Sequence, residues 1–335
     1  MRIGHIKPVI TLMLITPFLT EVLTTNVSIT MMLHPKVLLA MATIGYGFAV
    51  LALREAAVRM RAGVVSLVLL GVIYGMYNEG LIAKTFLRVH GVPINTFDGY
   101  GLFGGVETAW AILISIWHAF FAFLFPIVIV YSLYPREREE AWLNKTGFTI
   151  LAAVTLLISG LAFLGKNGNP AGIAGTPGQY LAMAAISALL FFLARRYSKM
   201  GNIAVLQSRS LIPAVRGFCM FLAVFLVPIM LAGAKIPIVL YLAYFAVLAL
   251  YFFRRTASRG DLALGSLLAF AFGAQIAAAL FALLAAYKHH SVESVVSSSI
   301  FIFGLGYLLF RQSRSRVYNE NSVCSRPNPE RWPSG

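Results

Sequence analysis

Charged residues are scarce in this chain of 335 residues, where Asp, Glu, Lys and Arg together account for 12%. Soluble globular domains carry roughly 25% of these residues. Here 59% of the residues are hydrophobic and the mean hydropathy is +0.81. This composition excludes a water-soluble domain. The chain has only two cysteines, Cys219 and Cys324, which excludes a framework of disulfide bonds.

Motifs of well-known enzyme classes are also missing from the sequence. There is no GxSxG, P-loop, HExxH or CxxC pattern, so a serine hydrolase or an NTPase has no support. The string "GYGLFG" at 99–104 matches GxGxxG, but no strand precedes it and an apolar run follows, which predicts a turn. The sequence therefore predicts no cofactor.

Long apolar runs recur along the chain. A run of about 20 residues is long enough to cross the hydrocarbon core of a bilayer. Windows of this kind predict an all-α polytopic membrane protein, a bundle of about ten membrane helices in the cell membrane. The predicted spans are 8–25, 37–53, 64–83, 109–134, 147–165, 181–194, 211–231, 236–253, 262–287 and 295–310.

Most of the basic residues fall on one side of these spans. With the N-terminus inside, 21 of the 27 Lys and Arg residues lie on the inner side, which is the positive-inside pattern. The sequence thus predicts that both termini are inside. The formal charge of +15 then reflects topology and an attraction to anionic lipids, and nucleic acid is not an expected partner.

The polar residues inside the spans divide the chain unevenly. A four-span unit at 1–134 contains the titratable ones, whereas a six-span unit at 135–310 is almost entirely apolar. Residues 311–335 are rich in Arg, Ser, Asn and Pro, which predicts a disordered cytoplasmic tail.

Three titratable residues stand out because an ionisable side chain inside the bilayer costs at least a few kcal/mol. They are Glu21 in the first span, Glu79 in the third and His118 in the fourth. Asn78, Tyr74 and Trp117 lie beside them in sequence and complete the candidate ligand or proton site. Helical rise puts the three titratable residues at overlapping depths, roughly 5 to 14 Å below the outer boundary.

Helical spacing also predicts which residues share a face. Gly71 and Gly75 share one face of the third span with Glu79, at i, i+4 and i+8. In the fourth span, Ser115, His118, Ala119 and Ala122 form a similar small and polar face. Small residues let two membrane helices approach closely. The sequence therefore predicts that Glu79 points into the bundle, towards a polar pocket in the outer half of the membrane.

Such a pocket has a functional and a structural interpretation. A buried carboxylate beside an imidazole can bind and relay a proton or a cation. Alternatively, Glu21 joins the first two spans by hydrogen bonding, Glu79 pairs with Lys84 or Asn78, and His118 is a satisfied core residue. Two Glu and one His are also possible ligands of zinc or manganese. No sequence motif supports that alternative, and no metal site is predicted.

The stretch from Pro17 to Pro135 resembles a group of multi-pass bacterial and archaeal membrane proteins without an assigned activity. The strings that carry the resemblance are "PFLTEVLTTNVS", "LALREAA", "YGMYNEGLIAKTF" and "SIWHAFFAFLFPIVI". Members have an Arg-Glu pair at the inner end of the second span, which corresponds to Arg54 and Glu55. Their third span reads YGxxEEGL, and Asn78 replaces its first Glu. The resemblance covers about a third of the chain.

The sequence is also weakly similar to intramembrane glutamate proteases of the CAAX-protease and bacteriocin-processing type. In that similarity Glu79 corresponds to one member of an acidic pair and His118 to the first catalytic His. Asn78 departs from the pair, and a second intramembrane His with an Asn partner is missing. Three hypotheses remain: transporter-like binding of a small solute or cation, a membrane-embedded hydrolase, and a non-catalytic scaffold whose partners are membrane lipids.

Overall fold

The structure of the protein is a computed structural model. It describes residues 5–22, 29–34, 36–87, 99–164, 175–199, 202–204, 212–257 and 262–289, together with single positions between and beyond these ranges. The predicted tail 311–335 and nine of the sixteen residues of the tenth predicted span lie outside the described residues. The same holds for parts of the two long loops after the third and fifth predicted spans.

Ten helices follow one another in the described ranges. The helices near the N-terminus are α1 (Ile6–Pro17, continued by Phe18–Val22), α2 (Ile29–Leu33), α3 (Lys36–Arg59), α4 (Val64–Gly75, continued by Met76–Ile82) and α5 (Thr108–Trp117, His118–Leu124 and Phe125–Leu133). The others are α6 (Lys145–Leu164), α7 (Pro177–Arg196), α8 (Ile212–Phe221, Leu222–Leu226 and Val227–Gly233), α9 (Ile238–Ala257) and α10 (Leu264–His289).

Four strands of two residues each complete the described elements. Strands β1 (Leu102–Phe103) and β2 (Val106–Glu107) form an antiparallel hairpin. The glycines on either side of β1, at 99, 101, 104 and 105, all have positive φ, which glycine adopts without strain. The turn predicted at "GYGLFG" is therefore confirmed. Strands β3 (Ile203–Ala204) and β4 (Leu262–Ala263) pair in parallel.

Eight of the described helices are long and apolar enough to span a membrane, namely α3 to α10. They correspond to the second to ninth predicted spans. The sixth, predicted as short, is a full helix of 20 residues. Its start is fixed because Thr176 and Gln179 form a capping box and Pro177 occupies the first helical position. The first predicted span forms α1, which is shorter in the described range.

The centre of the bundle is α5, which is 78% buried over its apolar window. It packs against α4 at two glycines. A Cβ on Gly71 would lie 2.6 Å from the Cα of Ala119, and one on Gly75 would lie 2.6 Å from the Cα of Ser115. The small-residue faces of the third and fourth predicted spans therefore lie directly against each other. Because the two backbones touch here, the polar residues just beyond Gly75 are held against those of α5.

The second half of the chain packs onto this centre through α8 and α10. A Cβ on Gly217 would lie 1.9 Å from the carbonyl oxygen of Phe270, and one on Gly273 would lie 1.8 Å from that of Ala214. One apolar core runs from α1 to α10. By contrast, Ser159 is the single buried residue of α6, and Leu164 at its end is 80% exposed. Such a surface is suited to lipid and not to water.

Candidate functional site

The three titratable candidates all lie in helical segments with π-type hydrogen bonding. Glu21 is in Phe18–Val22, Glu79 is in Met76–Ile82 and His118 begins His118–Leu124. A π segment adds a residue to the turn and is frequently found at functional sites. In α5 a proline at 126 follows the π segment, and the missing N–H of proline favours such an irregularity.

The carboxylate of Glu79 is held by neutral hydrogen-bond donors. Its Oε1 lies 3.2 Å from Nδ2 of Asn78, and its Oε2 accepts a hydrogen bond of 2.6 Å from the hydroxyl of Thr85. The indole N–H of Trp110 in turn donates to the oxygen of Thr85, at 3.0 Å. Lys84, which the sequence offers as a partner, instead donates to the carbonyl of Phe163 in α6. The side chain of Glu79 is 12% exposed.

His118 connects Glu79 to α5. Its Nδ1 lies 3.0 Å from the carbonyl oxygen of Ile114, and because a carbonyl only accepts, Nδ1 carries a hydrogen. Its Nε2 lies 3.0 Å from Nδ2 of Asn78 and 3.5 Å from Oε1 of Glu79. The side chain is 3% exposed. Asn78 therefore lies within hydrogen-bond distance of both the carboxylate and the imidazole.

Glu21 reaches the same region through tyrosines. The hydroxyl of Tyr46 in α3 donates to Oε1 of Glu21. The ring of Tyr46 is parallel to the imidazole of His118, with centroids 6.4 Å apart. The ring of Tyr74 lies 6.3 Å from Tyr46, 5.8 Å from His118 and 6.2 Å from Tyr77. We call Glu21, Tyr46, Tyr74, Asn78, Glu79 and His118 the polar cluster.

Two buried hydroxyls within this region have no hydrogen-bond partner among the residues that the structure describes. They belong to Tyr74, which is 1% exposed, and to Ser115, which is 3% exposed. An unsatisfied buried hydroxyl costs about 1–3 kcal/mol. The polar cluster thus has hydrogen-bonding capacity that water or a small polar ligand would satisfy.

Trp117, the sixth candidate from the sequence, packs elsewhere. Its ring stacks on Phe121 at 4.2 Å and meets the edges of Phe221 and Phe225 of α8 at 6.2 and 5.0 Å. It belongs to an aromatic layer between α5 and α8. The structure therefore brings five of the six candidates together and leaves Trp117 outside the polar cluster.

Sequence reasoning missed Tyr46, Thr85 and Trp110. Tyr46 carries one local signal, because it is a polar aromatic residue between Gly45 and Gly47 in an apolar span. Its contacts join α3 to both α1 and α5, and such contacts depend on helix packing. In the described part of the chain, no three His, Cys, Asp or Glu residues form a group that could hold a metal ion.

A second buried polar group lies near the opposite end of α3. Arg54 and Glu55 are both fully buried, and Nη1 of Arg54 lies 2.7 Å from Oε1 of Glu55. The guanidinium donates to three backbone carbonyls of the α5–α6 connection, those of residues 137, 138 and 140. It also lies over the ring of Trp142, 3.5 Å from its centroid. Glu55 accepts the backbone N–H groups of Trp142 and Leu143.

We call Arg54, Glu55, Arg59 and Trp142 the inner cluster, since the sequence predicts this end to face the cytoplasm. Arg59 joins Glu55 at 3.4 Å and donates to the carbonyl of Leu143 at 2.8 Å. The Arg-Glu pair at the inner end of the second span thus fixes the loop that follows α5. The inner cluster thus connects α3, which contains Tyr46, to the segment that follows α5, which contains His118.

The all-helical bundle with its eight long apolar helices defines a multi-pass integral membrane protein. A family model described as "Uncharacterized membrane protein family" matches residues 10–315, which is most of the chain. The chain belongs to this family. The comparisons with curated proteins and with solved structures give no match.

Proposed function

We propose that the protein is a membrane transport protein that binds a small polar solute or ion at the polar cluster, with Glu79 as the residue that carries the coupled proton or cation. The proposal rests on the hydrogen-bond partners of the Glu79 carboxylate. Its carboxylate lies in a membrane-spanning helix with two neutral donors and an imidazole within 3.5 Å. A group placed in this way can gain and lose a positive ion, because no Lys or Arg of the described residues pairs with it.

The irregular helices support the same proposal. Three of the helices that meet here have π segments, and all three contain or begin with a titratable residue. Irregular backbone at membrane depth is tolerated where it is buried in protein or lines a polar cavity. A scaffold explains the bond between Tyr46 and Glu21, which joins two neighbouring spans. It does not explain why the hydroxyls of Tyr74 and Ser115 lack partners in the described residues.

The experiment has two stages. Purified protein is first screened for thermal stabilisation by classes of small solute: amines, amino acids, sugars, carboxylates and inorganic ions. Solutes that stabilise it are then tested for uptake into proteoliposomes under an imposed gradient of protons or sodium ions. We expect Glu79→Gln to abolish both stabilisation and gradient-driven uptake.

The matched control is Glu139→Gln, because Glu139 lies in the α5–α6 connection with its side chain 76% exposed. That variant should behave as the parent does. If no solute class is taken up, and if Glu79→Gln responds to every stabilising solute as the parent does, the proposal is wrong.

Nε2 of His118 lies 3.5 Å from Oε1 of Glu79, and this distance also favours a second candidate function, that of a membrane-embedded hydrolase. A general acid–base pair needs this proximity, directly or through one water. If the protein is a hydrolase, we expect it to hydrolyse a peptide or ester substrate in micelles. Both Glu79→Gln and His118→Ala should abolish this activity. Uptake without hydrolysis would exclude it, and hydrolysis without uptake would exclude the transporter.

A further inference from the structure

We propose that the ion bound at this site is a proton, held between Nε2 of His118 and Oε1 of Glu79. Asn78 is the positioning residue, because its amide bridges these two atoms when the proton is absent. This inference rests on the proposed function and deepens it. The relevant atoms form a triangle: Nδ2 of Asn78 lies 3.2 Å from Oε1 and 3.0 Å from Nε2, which are 3.5 Å from each other.

The hydrogen positions follow from the partners. Nδ1 of His118 faces the carbonyl of Ile114 and carries a hydrogen, so in the neutral imidazole Nε2 has only a lone pair. The amide nitrogen of Asn78 has two hydrogens. One is donated to Oε1 of Glu79 and the other to Nε2 of His118. In this arrangement the amide separates two acceptors that would otherwise face each other.

Proton uptake changes the donors. A proton from water that binds the lone pair of Nε2 creates a new N–H bond, and Nε2 then has no lone pair to accept from Asn78. The hydrogen bond between Nδ2 and Nε2 breaks, and Nε2–H donates to Oε1 of Glu79. The product is an imidazolium–carboxylate pair, and no other covalent bond changes. Release of the proton restores the amide bridge.

Among the residues that the structure describes, no other cation competes with His118 for Glu79. The titratable and charged groups that face the pair are Glu21 from α1, Tyr46 from α3, Tyr74 and Tyr77 from α4 and Lys84 from the segment after α4, with neutral hydroxyls from Thr85, Ser115 and Ser159. Lys84 is directed to the carbonyl of Phe163. Tyr77 shares a hydrogen bond with Ser159. The nearest group that can neutralise Glu79 is therefore His118.

The same geometry disfavours a metal cation at this point. Oε2 of Glu79 is already engaged by Thr85, Oε1 by Asn78, and Nε2 offers one lone pair that faces an amide hydrogen. A metal cation requires several lone pairs that converge on one point. A proton requires only two.

The test measures the imidazole nitrogens of His118 directly. The full-length protein is labelled with ¹⁵N-histidine and reconstituted in lipid nanodiscs, and the His118 signals are assigned by their loss in His118→Gln. At alkaline pH we expect a hydrogen on Nδ1 and none on Nε2. On acidification Nε2 should gain its hydrogen while Nδ1 keeps its own.

The informative variant is Asn78→Asp, which places a second acceptor where the donor was. At the alkaline pH at which the parent has a bare Nε2, we expect the variant to have a hydrogen on Nε2. Asn144→Asp is the control, because Asn144 is exposed and its Oδ1 accepts from the backbone of Gly147, which a carboxylate does equally well. A merely structural role of Asn78 would change stability without changing which nitrogen is protonated.

Two results of the nitrogen measurements would overturn the inference. One is a parent in which neutral His118 carries its hydrogen on Nε2, and the other is an Asn78→Asp protein with the parent's nitrogen signals, whether or not its melting curve changes. Uptake driven by a sodium gradient at equal pH would also overturn it, yet leave the transport proposal intact. The expected signals with no solute uptake under any gradient would support the proton site and reject transport.

Discussion

At the residue scale, the site depends on neutral partners that hold charged atoms. Thr85 is the clearest case, since its hydroxyl donates to Glu79 while its oxygen accepts from Trp110. A single hydroxyl therefore links the carboxylate to the start of α5. Nothing about this residue in the sequence suggests the role, because Thr85 follows the predicted span and is separated from Trp110 by 25 positions.

Thr85→Val tests this link. Valine has nearly the same shape but leaves Oε2 of Glu79 and the indole N–H of Trp110 without partners. Loss of a hydrogen bond to a charged group should lower the free energy of unfolding by about 1.5–3 kcal/mol. This loss is measured as the difference in the free energy of unfolding between the parent and the variant, each purified in mixed micelles. Thr149→Val is the control, because Thr149 bonds only the carbonyl of Lys145 on exposed α6, and an equal loss in both variants would contradict the prediction.

At the element scale, residue spacing predicted which side chains share one face of a helix, but it did not predict the contacts between helices. The i, i+4, i+8 pattern placed Gly71, Gly75 and Glu79 on one face, because one turn of helix fixes which residues share a face, and the two glycines of that face contact α5. Tyr46 could not be placed in this way. Its contacts to Glu21 and His118 come from three helices whose relative rotation no local pattern encodes. The π segments also change the register by a residue that regular spacing does not include.

Gly71→Ala tests the contact between α4 and α5. The added methyl would lie 2.6 Å from the backbone of Ala119, so the helices must separate. Overpacking of this kind should destabilise the protein by about 1–3 kcal/mol. Gly160→Ala is the control, since nothing lies within 4 Å of its added Cβ and alanine favours helix by about 1 kcal/mol. The two substitutions should therefore differ in sign, as measured by unfolding in micelles.

The inner cluster predicts a difference between arginine and lysine. Arg54 uses both terminal nitrogens for Glu55 and three backbone carbonyls, a fork that the single ammonium of lysine cannot reproduce. Arg54→Ala removes the closer of the two cations that pair with buried Glu55 and also removes the donor of three backbone carbonyls, so it should cost about 3–5 kcal/mol. Arg54→Lys should recover only part of that. Arg196→Ala, at the exposed end of α7, should be close to neutral, and protease resistance of the α5–α6 connection reports the difference.

At the scale of the whole molecule, composition and apolar runs were sufficient for the fold class. Eight of the ten predicted spans are long apolar helices, because a lipid environment requires continuous helices of this length. The sidedness depends on a different argument, the distribution of Lys and Arg. It predicts that the polar cluster lies near the outer face and the inner cluster near the cytoplasm.

Cysteine labelling tests the predicted orientation. In a background with Cys219 and Cys324 replaced by serine, Phe103→Cys places a thiol on the hairpin between α4 and α5, where Phe103 is 82% exposed. Glu139→Cys places one on the α5–α6 connection. With both termini inside, a membrane-impermeant maleimide should label the first variant in intact cells and the second only after permeabilisation. The reverse pattern would put Glu79 in the inner half of the bilayer, so the proton would then enter the site from the cytoplasm.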